Sequence, residues 1–155
     1  GLNVYLQYKQ FDFTMFWQGV QGVDVISDLK KETDIWAGLN IGFLNKGTRL
    51  LDAWSPTNPN SSIPALSLSD NNNEKRVSSY WVENGSYLKL RTIQLGYNVP
   101  GKVAEKLYMQ RLRFYLSAQN LITIHSSSFT GVDPENPNYG YPIPLNITFG
   151  LNVTF

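Results

Sequence analysis

The sequence predicts an all-β chain of antiparallel strands. Three observations carry that prediction: period-two alternation at both ends, almost no helical periodicity, and low charge combined with many aromatics. Of 155 residues, 16% are charged and 14% aromatic, against roughly 25% charged in ordinary soluble domains. Alternation at every second residue sorts side chains onto the two faces of a strand, whereas a helix needs a repeat near 3.6.

The elements follow in order. Leu2 to Tyr8 places Leu2, Val4, Leu6 and Tyr8 on one side and Asn3, Tyr5 and Gln7 on the other. Lys9-Gln10 reads as a short turn. Phe11 to Gly19 then resumes with Phe11, Phe13, Met15 and Trp17 opposite Asp12, Thr14, Phe16 and Gln18, which makes a hairpin. Asp24 to Ala37 loosely follows a helical face through Val25, Leu29, Thr33, Ile35 and Trp36, and is expected to hold a short helix. Asn45 to Gly85 is rich in Asn and Ser and carries Pro56, Pro59 and Pro64. Connections that long are usually functional or disordered. Within it, Asn71 to Arg76 is the most polar stretch and reads as a solvated loop.

Tyr87 to Asn98 changes phase: Leu88 and Leu90 share one parity, Ile93, Leu95 and Tyr97 the other. Such a change marks a bulge, here near Arg91-Thr92. Pro100-Gly101 ends the strand, and Lys102 to Leu107 has room for one helical turn. Arg111 to Thr123 alternates again, Leu112, Phe114, Leu116 and Ala118 against Arg113, Tyr115, Ser117 and Gln119. A loop rich in Gly and Pro follows. The last run, Leu145 to Phe155, is the cleanest: Leu145, Ile147, Phe149, Leu151, Val153 and Phe155 oppose only Asn, Thr and Gly.

Two physical readings fit these strands. In a soluble β-sandwich the apolar face packs on a second sheet, and exposed Trp and Tyr would serve to bind carbohydrate. In a membrane barrel the apolar face meets lipid and the polar face lines a lumen. The length of the last run exceeds the usual ~5–6 residues of a globular strand and matches the ~9–11 of a bilayer crossing, which favours the barrel.

Composition excludes other classes. A net charge of +1 without a basic cluster argues against nucleic acid. The chain has no Cys and one His, His125, so neither a thiolate site nor a multi-His metal site is available. No metal or cofactor is expected. Ser126, Ser127 and Ser128 beside His125 lack any framing nucleophile motif, and Asp133, Glu135 and Asn136 depart from calcium-loop spacing. No catalytic residue, and no enzyme, is expected. Asn60, Asn84, Asn146 and Asn152 begin Asn-X-Ser/Thr triplets; in the last strand, parity alone accounts for them. The remaining candidates are aromatics in the loops: Trp54, Trp81, Tyr139 and Tyr141 could stack on a sugar or peptide, or simply pack the loops together. Trp17, Tyr97 and Tyr115 fall near strand ends, where aromatic girdles sit.

The order of segments resembles the C-terminal portion of the SusC/RagA family of TonB-dependent outer-membrane transporters of Bacteroidetes. Tyr8 to Gln21 (YKQFDFTMFWQGVQ) is similar to a hairpin of that family, and Asp52 to Ala65 (DAWSPTNPNSSIPA) to its W-[ST]-P-x-N-P loop followed by IP. Gly85 to Pro100 (GSYLKLRTIQLGYNVP) resembles its GSYLRLKNLTLGYxLP strand, Leu112 to Leu121 (LRFYLSAQNL) its LRxYxSxQNL, and Gly131 to Glu135 its GxDPE. The ending, YPIP then TFGLNVTF, is similar to YPxPRTxxFGLNxxF, with the usual Arg replaced by Leu145 or Asn146.

That resemblance implies about five C-terminal strands (2–8, 11–19, 87–98, 111–123, 145–155) of a large antiparallel transmembrane β-barrel, one of about 22 strands around a plug. Residues 20–86 and 124–144 become long external loops, and the connections at Lys9-Gln10 and Pro100 to Gln110 the short periplasmic turns. Long and short connections alternate as a barrel requires. Further implications are localisation in the cell outer membrane, a SusD-like surface lipoprotein partner, TonB reached through regions absent here, and import of glycan or peptide fragments. The rest of the barrel and outer-membrane lipid would surround the strands. The final strand, through Phe149, Leu151, Val153 and Phe155, would also carry the signal read by the barrel-assembly machinery.

Overall fold

The computed structural model describes residues 1–34, 46–67, 73, 76–138 and 140–155. In chain order the elements are β1 (Leu2–Tyr8), β2 (Phe11–Val20), β3 (Asp24–Ile26), α1 (Asp28–Asp34), β4 (Val82–Asn84), β5 (Tyr87–Asn98), α2 (Gly101–Lys106), β6 (Arg111–His125) and β7 (Asn146–Thr154). Single turns of 3-10 helix cover Thr48–Asp52 and Ser79–Trp81. The chain divides into two compact units: Gly1–Gln21 with Ser86–His125 and Ile143–Phe155, and Gly22–Gly85 with Ser126–Pro142.

The first unit is one antiparallel sheet in the order β1-β2-β5-β6-β7. The hairpin turns on Lys9, which adopts a left-handed φ of 52°. The phase change in β5 is a real irregularity of pairing. Phe16 faces Thr92 while Trp17 faces Leu90, so Arg91 is the extra residue. On its other side the register jumps from Leu90–Ile122 to Thr92–Gln119, and Asn120 takes a φ of 56°. The bulge lets Leu88 and Leu90 keep the same side of the sheet as Ile93 and Leu95 despite their opposite parity. The helical turn expected after Pro100 is α2.

The second unit contains the two-stranded sheet β3-β4, with Val25 opposite Glu83. The short helix expected within Asp24 to Ala37 is α1; the three residues ahead of it, Asp24 to Ile26, are strand, where pairing with a partner remote in sequence overrides a weak local periodicity. The helix begins at Asp28 because Ser27 caps it, its Oγ accepting the Lys30 amide at 3.2 Å. Ile35 to Ala37, the rest of the expected helical stretch, lies outside the described residues, as does most of the polar run 71–76.

Candidate functional site: a two-faced wall and a loop unit

Residues directly opposite in antiparallel strands share a face, so the register sorts the five-stranded sheet row by row. One row reads Leu6, Phe13, Leu95, Leu116, Phe149; the next reads Val4, Met15, Ile93, Ala118, Ile147. Toward the short turns lies Tyr8, Phe11, Tyr97, Phe114, Leu151, whose Phe11 and Tyr97 rings are 4.9 Å apart. This face is apolar from edge to edge and open: Leu6 is 60% exposed, Leu116 51% and Phe149 70%. A soluble sandwich would bury these rows against a second sheet.

The opposite face is polar. Its rows run Tyr5, Thr14, Gln94, Ser117, Thr148 and Gln7, Asp12, Gly96, Tyr115, Gly150. The Arg113 guanidinium donates to both carboxylate oxygens of Asp12, at 2.6 and 3.1 Å. Asn98 Nδ2 adds a third bond to Asp12 at 3.0 Å, and Arg111 donates to Asn98 Oδ1 at 3.3 Å. Such a bidentate, charge-assisted pair fixes geometry as well as adding energy. Two glycines make room for it. A Cβ on Gly96 would collide with the Asp12 carboxylate and the Arg113 guanidinium, and one on Gly150 with the Tyr115 ring. Tyr115 in turn carries the Arg113 guanidinium 5.6 Å above its ring.

The loop unit has its own core. Trp81 is 2% exposed and packs edge-on against Tyr80 at 4.8 Å, with its indole N–H donating to the Arg76 carbonyl at 2.9 Å. Two buried carboxylates tie distant segments to it. Asp34 accepts from Arg49 Nε at 2.7 Å and from the Tyr80 hydroxyl at 2.6 Å. Glu83 accepts the Thr130 amide at 2.9 Å and its hydroxyl at 2.8 Å, with the Lys30 ammonium 3.5 Å away. Burial, reinforced by the bond to Asp34, pushes the Tyr80 phenol well above its ordinary value. Burial likewise pulls the Lys46 ammonium below its usual range.

The aromatics singled out from the sequence separate accordingly. Trp81 is a correction: its burial makes it the centre of the loop core and removes it from any ligand-stacking role. An indole that fills a core and spends its N–H on a backbone carbonyl has neither face nor donor left for a ligand. Trp54 is 44% exposed on a turn closed by its own amide to Ile63 O and by Asn58 and Ser61 to Asp52. Tyr141 is 98% exposed. Tyr139 lies outside the described residues. In β7, Phe149 and Leu151 stand exposed on the apolar face, with Val153 half-buried, and Phe155 follows, exposed. Sequence reasoning missed Asp12, Arg113, Asp34 and Glu83. The charges of Asp12 and Arg113 on otherwise uncharged polar parities were the available sign.

No family model matches the chain. Among curated proteins it is 34% identical over 171 residues to TonB-dependent receptor P3 of Formosa agariphila, covering 100% of this chain and 16% of that protein. It is 29% identical over 165 residues to TonB-dependent receptor SusC of Bacteroides thetaiotaomicron, covering 100% of the chain and 15% of the receptor. Among solved structures it superposes on the RagAB peptide transporter with a TM-score of 0.76 and 26% identity, over 96% of this chain and 16% of the other. The chain spans about a sixth of the length of the relatives it matches.

Proposed function

We propose, for a chain that is SusC/RagA-like along its whole length and fits a C-terminal segment of a TonB-dependent receptor, that it forms five strands of a transmembrane barrel wall in the outer membrane. The carrying observation is the register, which collects the apolar residues of five strands on one open face and the polar network on the other. The apolar rows meet lipid, and the row from Tyr8 to Phe114 sits at one membrane interface. The polar face lines the lumen. Gly22–Gly85 and Ser126–Pro142 form part of the external vestibule, where Trp54, Tyr139 and Tyr141 are available to ligand or partner.

In the whole receptor, this wall serves TonB-driven import of a peptide or glycan fragment delivered by a SusD-like surface lipoprotein. The likeness to SusC and to a structure named as a peptide transporter supports that reading. TonB is engaged through regions beyond this chain, and the segment itself catalyses no reaction. Phe149, Leu151, Val153 and Phe155 present the alternating strand that the barrel-assembly machinery reads.

Neighbouring residues on opposite faces provide the test. In the full-length receptor, Leu116→Arg puts a cation on the lipid side and is expected to cost about 2–4 kcal/mol. Outer-membrane yield and heat-modifiable mobility in detergent should both fall. Ser117→Arg points to the lumen and should leave both intact. Equal effects, or a receptor recovered from the soluble fraction, would reject the wall.

A further inference from the structure

We propose that α2 and its flanks form an interfacial foot, seated in the phospholipid headgroup layer at the short-turn end of the wall; this rests on the lipid-facing reading of the apolar rows. The helix lies against β6 with Ala104 completely buried, and Leu112 is the buried member of the β6 apolar row. That places α2 over the apolar side, continuous with the wall. Around this contact Val103, Leu107 and Tyr108 point outward beside exposed Lys102 and Lys106. Apolar and aromatic groups flanked by lysines are the composition that settles at a headgroup boundary. The exposed side chains at this end are also cationic on balance: Lys9, Lys102 and Lys106 stand against Glu105, which complements lipid phosphate.

Tyr108 supplies an independent argument. The helix closes with paired bonds, Met109 N–H to Ala104 O at 3.0 Å and Tyr108 N–H to Glu105 O at 3.0 Å, which puts Tyr108 in the left-handed position at φ 58°. Glycine is the usual occupant there, because a side chain is strained by this conformation. A tyrosine held at that position with its side chain 92% exposed contributes little to the fold. Its ring, apolar with a polar tip, fits the membrane interface.

The test uses the full-length receptor in phospholipid nanodiscs, with a single nitroxide at Tyr108→Cys or Val103→Cys and a reference label at Phe149→Cys. Collision with oxygen and with a water-soluble nickel chelate reports depth. The expected result is Phe149 in hydrocarbon with positions 103 and 108 at headgroup depth. Nickel access at 103 and 108 equal to bulk water, with Phe149 still deep, overturns the foot and leaves the wall standing. Shielding of both positions from both reagents means a protein partner covers them and also overturns it. A Phe149 label in water rejects the wall itself, and the foot with it. As a second variant, Tyr108→Gly relieves the backbone and should lose part of the Tm gained on transfer from detergent to phospholipid. An unchanged gain rejects the role of the ring.

Discussion

The two units of this chain bury opposite things. In the sheet, Phe149, Leu116 and Leu6 stand open while Asp12 is buried in a polar network. In the loop unit, Trp81 is buried and the polar groups around it are either paired or exposed. The loop unit follows the rule for a protein in water, where apolar burial dominates folding. The sheet inverts that rule, as the proposed membrane wall requires of a surface whose outer solvent is lipid. On that reading one chain records two solvents, each legible from which side chains are covered.

Breaking the loop core should produce the largest effect. Trp81→Ala removes its central side chain and is expected to cost about 3–5 kcal/mol within that unit. If the units are as different as their burial implies, limited proteolysis will cut within 22–85 and 126–142 while heat-modifiable barrel behaviour persists. Loss of both together would erase the contrast. On the sheet, Gly96→Ala drives a methyl group into the Asp12–Arg113 pair, with an expected cost of about 1–3 kcal/mol. Thermal unfolding in detergent would register it, and protease sensitivity of the loops would not change.

The smallest effect is set by pH. The Tyr80 phenol ionises less readily in the folded loop unit than its ordinary value of 10.0, because of burial and the neighbouring Asp34. A group whose folded pKa is raised contributes stability that is whole below the unfolded pKa and is lost as pH rises above it. Loop proteolysis should therefore accelerate above about pH 10, and Tyr80→Phe should flatten that rise while slightly raising the rate at neutral pH. A wild-type profile flat to pH 11 would show that Tyr80 is not held as described.

The wall was legible in the sequence because its rule is local. Ile147, Phe149 and Leu151 declare their face by counting, and even the bulge is visible as Leu88 and Leu90 falling out of step with Ile93 and Leu95. The loop core was not. Trp81 sits in a polar segment without periodicity, so nothing local distinguishes a buried indole from an exposed one. Its anchors, Asp34 with Arg49 and Glu83 with Thr130, join residues far apart in sequence, and no local rule brings them together. The short strand Asp24–Ile26 escaped for the same reason: its partner lies beyond a long connection. Asp12 and Arg113 fall between these cases, since parity places both on the polar face but only register makes them neighbours.

The extra residue at Arg91 gives β5 two reading frames. Before it, even-numbered residues belong to the apolar face; after it, odd-numbered ones do. The bulge acts as a comma in a message, resetting the frame so that Leu88 and Leu90 stay in phase with Ile93 and Leu95. Read straight through with Arg91 counted in, the residues before it would keep their identity and change their meaning: Leu88 and Leu90 would turn to the polar face and Lys89 to the apolar one. Homologous strands are therefore better aligned as two half-strands joined at the bulge than as one continuous run.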